Sequence, residues 1–264
     1  MRLTTFASGS GGNCALVEGR EINVLLDAGI SLRRIRAALA ARSLDMADIA
    51  GVFITHEHAD HVAALKTLIK YCDTPVFAPG TVAGRLEWAM PGIAEQLRIV
   101  KPGEAVQLGD MRVTAFRTSH DTDESVGYRL EEGGASFGLC TDTGVITDEI
   151  LEAMRGCAAV LIEANHDLDM LRGGAYPVYL KRRILSDRGH LSNDASAAFA
   201  CALARSGAMR IVLGHMSREN NTPCKALAAV RQALDAEGYG GVELFTALQD
   251  TETTLEIMPC CASN

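Results

Sequence analysis

Seven histidines, at positions 56, 58, 61, 120, 166, 190 and 215, carry most of the chemistry in this chain. Three of them fall in one short segment, Thr55-His56-Glu57-His58-Ala59-Asp60-His61, directly after the apolar run Gly51–Ile54. In extended backbone His56 and His58, two residues apart, point the same way. Asp60 and His61 then stand at the start of an amphipathic helix, where they can turn toward a second point. Imidazole and carboxylate in this mixture suit zinc, manganese or iron. The plainer reading is a solvated polar turn, and three histidines with an aspartate at this spacing argue against it. His120 follows another strand-like run in Thr118-Ser119-His120, Asp142 lies in Cys140-Thr141-Asp142-Thr143-Gly144, and His215 in Leu213-Gly214-His215-Met216-Ser217. Taken singly, these three read as a capped turn residue, a turn former and a structural histidine.

The elements that must position these residues are short β-type runs ended by Gly, Asp or Pro. They are expected at Leu3–Ala7, Cys14–Val17, Ile22–Leu26, Gly51–Thr55, Pro75–Ala78, Met111–Arg117, Val126–Leu130, Ala135–Cys140, Ala158–Ile162, Met209–Leu213 and Val242–Thr246. In Met111–Arg117 the apolar Met111, Val113 and Ala115 alternate with Arg112 and Thr114, the period of a half-buried strand. Helical patterns lie between: Leu32–Ala41, Ala59–Tyr71 with Val62, Leu65, Leu68 and Ile69 on one face, Ala195–Arg205 behind the capping residues Ser192, Asn193 and Asp194, and Cys224–Ala236 behind Pro223. Many strands with helices that must cover sheet faces imply a layered α/β sandwich in one domain spanning residues 1–264.

Bulk composition narrows the class. A 48% apolar, 22% charged chain of 264 residues is ordinary globular material. The net charge of -8 disfavours a general nucleic-acid or membrane-surface binder without excluding a local basic patch. The N-terminus has no apolar stretch of signal-peptide length and the longest apolar run, Ala197–Ala204, is too short to cross a bilayer, so a soluble cytoplasmic protein is expected, with no membrane partner. The eight cysteines (14, 72, 140, 157, 201, 224, 260 and 261) form no C-x-x-C pair and read as small buried hydrophobes in a reducing compartment.

The HxHxDH pattern of His56, His58, Asp60 and His61 resembles the signature of the metallo-β-lactamase superfamily, and the order of His120, Asp142 and His215 behind it continues the likeness. The resemblance implies an αββα four-layer sandwich and two divalent ions, manganese or zinc with iron as a further candidate. One would be held by His56, His58, His120 and Asp142, the other by Asp60, His61, Asp142 and His215. Flavodiiron relatives place a Glu where His58 stands, so redox chemistry is disfavoured. Further segments resemble the YycJ/WalJ family of bacterial metallohydrolases: Ser8-Gly9-Ser10-Gly11-Gly12-Asn13-Cys14, His120-Asp121 with Val126-Gly127-Tyr128, Glu163-Ala164-Asn165-His166-Asp167, Gly189-His190-Leu191-Ser192-Asn193 and His215-Met216-Ser217-Arg218-Glu219-Asn220-Asn221. Gly11 departs from the serine expected there. That family is associated with 5′-to-3′ exonuclease action on double-stranded DNA and is more distantly similar to the tRNA-processing RNase Z.

By the RNase Z likeness, His190 would contact the scissile phosphate or protonate the leaving oxygen, with Glu163 setting its tautomer and raising its pKa. A helix-start role for His190 is the alternative. Asp60 would orient the attacking water while ligating. Ser8, Ser10 and Asn13 are candidates for binding a terminal 5′ phosphate, and His166 for lining the pocket or for a structural role. Lys181, Arg182, Arg183 and Arg188 form a candidate phosphate-contact strip, whereas Arg33, Arg34 and Arg36 read as a solvated helix face. Three functions follow: a metal-dependent phosphodiesterase acting on nucleic acid, a hydrolase of a small ester or thioester on the same fold, or a regulator that keeps its metal without catalysis. The acidic charge favours the second and the EANHD, GHLSN and HMSRENN segments the first. Nothing in the sequence speaks to the oligomeric state.

Overall fold

Hydrogen bonding joins the strands into two seven-stranded sheets. The computed structural model describes residues 1–259, so Cys260 and Cys261 lie outside the described residues. The first sheet contains β1 (Arg2–Ala7), β2 (Cys14–Glu18), β3 (Asn23–Leu26), β4 (Ile49–Phe53), β5 (Val76–Pro79), β6 (Leu97–Val100) and β14 (Thr253–Glu256) in the order β14-β1-β2-β3-β4-β5-β6. The second contains β7 (Ala105–Leu108), β8 (Met111–Arg117), β9 (Val126–Glu132), β10 (Ala135–Cys140), β11 (Ala159–Glu163), β12 (Arg210–Gly214) and β13 (Glu243–Thr246) in the order β13-β12-β11-β10-β9-β8-β7. Each sheet is antiparallel on one side and turns parallel at a central strand, β3 in the first and β10 in the second.

Alternate residues of each strand face alternate layers. Val17, Val24, Leu26 and Phe53 meet Val113, Ala115, Tyr128, Leu139 and Leu161 in the core between the sheets. Leu16, Leu25, Val52 and Ile54 face outward to α1 (Leu32–Ala40), α3 (Leu65–Tyr71) and α4 (Gly80–Ala89). Val160, Ile162, Ile211 and Leu213 face the other way, to α5 (Asp148–Met154), α8 (Asn193–Arg205) and α9 (Pro223–Ala236). Three apolar clusters between four layers give the αββα arrangement, and each fully buried Leu, Ile or Phe contributes about 1.5–3 kcal/mol. Ser192 and Thr222 cap α8 and α9 by accepting the backbone N–H three residues on. No helix among the described residues is long and apolar enough to cross a membrane. Of the cysteines, 14, 140, 157 and 201 are buried, Cys72 is half-buried and Cys224 is exposed.

Two departures from the sequence reading have physical causes. The expected helix Ala59–Tyr71 is two helices, α2 (Ala59–Val62) and α3. Its first turn gives its backbone groups to neighbouring loops: the Asp60 carbonyl accepts from Asn13 N–H, the His61 carbonyl from Ala28 N–H, and Ala64 N–H donates to the Ala28 carbonyl. Strands β6, β7 and β14 were not expected from the sequence: each is a four-residue strand at a sheet edge and partly exposed, too short for a clear alternation.

Candidate metal centre and its glutamate–histidine flank

Candidate residues leave the carboxyl ends of strands that run the same way in the two sheets. Asp27 follows β3, Thr55 and His56 follow β4, His120 follows β8, Asp142 follows β10, Glu163 ends β11 and His215 follows β12. Ligand sites on open α/β sheets form at such edges. Three of these turns are held in left-handed backbone that non-glycine residues avoid: Asp27 at φ 58°, Asp142 at 55° and His215 at 50°. Backbone of this kind persists where the surrounding structure enforces it. Gly29 has a steric duty, since a Cβ there would lie 1.6 Å from the Asp60 carbonyl oxygen.

The imidazoles form a continuous cluster. Ring centroids are 4.5 Å apart for His56 and His58, 5.0 Å for His56 and His120, 5.1 Å for His58 and His120, and 4.1 Å for His56 and His61. Asp142 sits at the centre: its Oδ2 is 3.4 Å from His61 Nε2, and its Oδ1 is 3.4 Å from His215 Nε2 and 3.7 Å from His120 Nε2. Asp60 Oδ2 lies 3.5 Å from His61 Nε2 and 3.7 Å from His215 Nε2. The candidate ligand atoms fall into groups whose members are all within 4.8 Å of one another, among them His56-His58-His120, His56-His61-Asp142 and Asp60-His61-His215.

Four of the rings are turned by a partner on the far nitrogen. Nδ1 of His56 meets Thr55 Oγ1 at 3.0 Å, that of His61 meets Asp27 Oδ2 at 2.8 Å, that of His120 faces the Gly189 carbonyl at 3.2 Å, and that of His215 meets Glu163 Oε1 at 2.9 Å. This leaves Nε2 of each aimed at the common centre, the arrangement by which outer partners orient metal-binding histidines. His56 Nε2, His215 Nε2 and Asp142 Oδ2 are buried without any hydrogen-bond partner. Buried polar atoms are costly in that state, so these residues fit a cationic group at their centre.

Glu163 holds the flank of the site. Fully buried, it takes His190 Nδ1 at 2.7 Å and His215 Nδ1 at 2.9 Å on the same oxygen, while Oε2 accepts Thr143 and Leu191 N–H. Burial opposes its charge, but His190 and His215 outweigh it and hold the carboxyl below its usual range. Burial also pulls His190 down, and Glu163 more than compensates, so its pKa is raised.

The remaining expectations are placed differently. Ser8 is buried with Oγ accepting His215 N–H, and Asn13 Nδ2 lies 3.1 Å from His61 Nε2 and 3.4 Å from Asp60 Oδ2; both face into the centre rather than out to a substrate. Ser10 is exposed. His166 is 1% exposed with neither ring nitrogen hydrogen-bonded, and burial pushes its pKa down to about 4. The basic strip is largely engaged by the protein itself: Lys181 binds the Arg172 and Gly174 carbonyls, Arg183 pairs with Asp121, and Arg188 binds the His120 and Thr122 carbonyls. Arg182 is exposed. In the other cluster Arg33 and Arg36 are exposed, but Arg34 bridges the Phe6 and Gln249 carbonyls. Asp27, Thr55 and Asp121 were missed. The signal for Asp27 was its place after an apolar strand in Leu25-Leu26-Asp27-Ala28-Gly29, the same signal that marked Asp142.

Fold and site together define a metal-dependent hydrolase of the metallo-β-lactamase fold. The model of the β-lactamase superfamily domain matches residues 22–216. Zinc-bound PqqB from Methylobacterium extorquens shares the fold, with a TM-score of 0.74 at 17% identity, covering 97% of this chain and 100% of that one. Within the superfamily the chain belongs to the YycJ/WalJ family. It is 35% identical over 253 residues to the exodeoxyribonuclease YycJ of Bacillus anthracis, covering 96% of each chain. To the exodeoxyribonuclease WalJ of Streptococcus pneumoniae it is 34% identical over 260 residues, covering 96% of this chain and 97% of the relative.

Proposed function

We propose that residues 1–264 act as one dinuclear phosphodiesterase domain that degrades double-stranded DNA from the 5′ end. The observation that carries this reading is the Glu163–His190 pair standing beside a complete set of candidate metal ligands. The exodeoxyribonuclease names of the relatives supply the substrate class. His56, His58, His120 and Asp142 would hold one ion, and Asp60, His61, Asp142 and His215 the other, with Asp142 shared. Such ions, manganese or zinc, supply Lewis acidity at the phosphate and at the attacking water. Asp60, half-exposed beside the centre, orients that water. Glu163 fixes Nδ1 of His190, which leaves Nε2 to donate a proton to the leaving oxygen, and the same carboxylate raises the pKa of the ring in favour of its protonated form. Ser8 and Asn13 position His215, His61 and Asp60.

A second reading, a small ester or thioester substrate, is favoured by one observation. Three of the four cations of the candidate phosphate-contact strip are engaged within a protein of net charge -8. Degradation of 5′-phosphorylated linear duplex DNA by the manganese-loaded protein separates the two, with an Asp142→Ala, His190→Ala double variant controlling for contaminating nuclease. Loss of nucleotides from the 5′ end, absent in the control, is expected, and it also excludes a non-catalytic regulator. No degradation by protein with confirmed bound metal would overturn the nuclease reading in favour of the small ester.

A further inference from the structure

Asp121 stands next to His120 in the loop between β8 and β9. Its Oδ1 is 3.1 Å from His120 Nε2 and 4.0 Å from His58 Nε2. That oxygen is buried and has no hydrogen-bond partner. Its other oxygen, Oδ2, is ion-paired with Arg183 Nε on α7 (Val178–Ile184). His120 turns Nδ1 to the Gly189 carbonyl, which only accepts, so the proton of the neutral ring sits on Nδ1. Nε2 then presents a lone pair toward a carboxylate oxygen that is also an acceptor. Two acceptors at this distance repel unless a proton or a cation lies between them, and the Arg183 pair on Oδ2 leaves Oδ1 without a partner of its own. The oxygen also borders the rings of His58 and His120, which with His56 make up a three-histidine group of the site.

We propose that Asp121 contributes a carboxylate oxygen to the His58–His120 side of the metal centre, aimed by Arg183, and that this oxygen biases the site toward manganese over zinc. Without it, the three-histidine side offers nitrogens alone apart from the shared Asp142. Imidazole suits zinc, whereas carboxylate oxygen suits the harder manganese ion. Arg183 thus serves as a positioning residue, and α7 is tied to the centre through it. This inference rests on the proposed metal assignment but not on the DNA substrate, and its test reads metal binding rather than hydrolysis.

The experiment is titration of the metal-free full chain with manganese and, separately, zinc, in wild type, Asp121→Asn and Asp110→Asn. Asp110 is an exposed carboxylate in the turn between β7 and β8, and its variant controls for the loss of one negative charge. Asp121→Asn is expected to weaken manganese binding about 10- to 100-fold, the range for removing a residue that supports a metal site, with a smaller loss for zinc. Asp110→Asn is expected to match wild type. Equal losses for both ions, or unchanged affinities, in Asp121→Asn would overturn the proposal. Arg183→Met on the exposed side of the pair gives a reading that does not depend on Asp121→Asn folding. A reduced manganese-to-zinc preference supports the assignment, and an unchanged preference contradicts it.

Discussion

The two ends of the metal centre are built from different electrostatics. At one end His56 and His120 are backed by a hydroxyl and a carbonyl, and burial as the main cause lowers both pKa values, with neighbouring histidines adding to it. At the other end His61 and His215 are backed by the carboxylates of Asp27 and Glu163 and faced by Asp60 and Asp142. Burial opposes protonation there too, but the carboxylates win: His61 is raised to about 10 and His215 goes well above its ordinary value. The first end therefore offers neutral nitrogens at neutral pH. The second holds protons that a metal must displace, in exchange for stronger anionic attraction. Similar imidazoles thus acquire different metal-binding behaviour from the atoms behind them.

The largest expected effect comes from Glu163→Gln, which removes the carboxylate from the second end and from His190 together. Loss of general-acid assistance alone is worth about 10²–10⁴-fold in rate, and metal affinity should fall about 10- to 100-fold. Steady-state hydrolysis with parallel metal titration would show both losses. A variant with normal metal affinity would dissolve the distinction between the ends.

The next effect is pH dependence. Because His61 in the metal-free protein titrates near 10, binding at the second end must release its proton, so affinity there rises with pH from 7 toward 9. The rise is about tenfold per pH unit for each displaced proton, so up to about a hundredfold where His61 and His215 both give one up. His56 and His120, whose pKa values burial lowers, add no such proton release at the first end. Isothermal titration at several pH values should resolve one pH-dependent and one flat affinity in wild type. Asp27→Asn should make the first of these shallower, because His215 keeps its own carboxylate partner, and equal slopes at both ends in wild type would break the comparison.

The smallest effect concerns the support of the first end. Tyr128 crosses between the sheets, and its hydroxyl donates to the Ile54 carbonyl at 2.6 Å, two residues before His56. Tyr128→Phe leaves that buried carbonyl without its donor and should cost about 1 kcal/mol of stability in denaturant unfolding. It should weaken metal binding at the first end more than at the second; an equal loss at both would show that the ends share one support.

How much of this was legible in the sequence follows from how local each signal is. His56, His58, Asp60 and His61 lie in one turn, so their spacing alone carried the chemistry. His120, Asp142 and His215 were ambiguous singly and gained meaning from their order after that turn. Interior strands were readable because both faces must be apolar or alternate, whereas β6, β7 and β14 lie at edges with little to bury. The Asp27–His61 and Asp121–Arg183 pairs join residues distant in sequence, so no local pattern announces them. The basic strip shows the same limit: local sequence gives the charges of Lys181, Arg183 and Arg188 but not the carbonyls and the carboxylate that meet them.

The most direct test of the shared centre is the mass of the folded, manganese-loaded chain under native conditions, for wild type and for Asp142→Ala. Two ions in wild type and fewer than two in the variant are expected, because Asp142 Oδ1 faces His120 and His215 while its Oδ2 faces His61, so the carboxylate borders both candidate ligand groups. A single ion in wild type, or two retained in Asp142→Ala, would contradict a dinuclear centre built around that carboxylate.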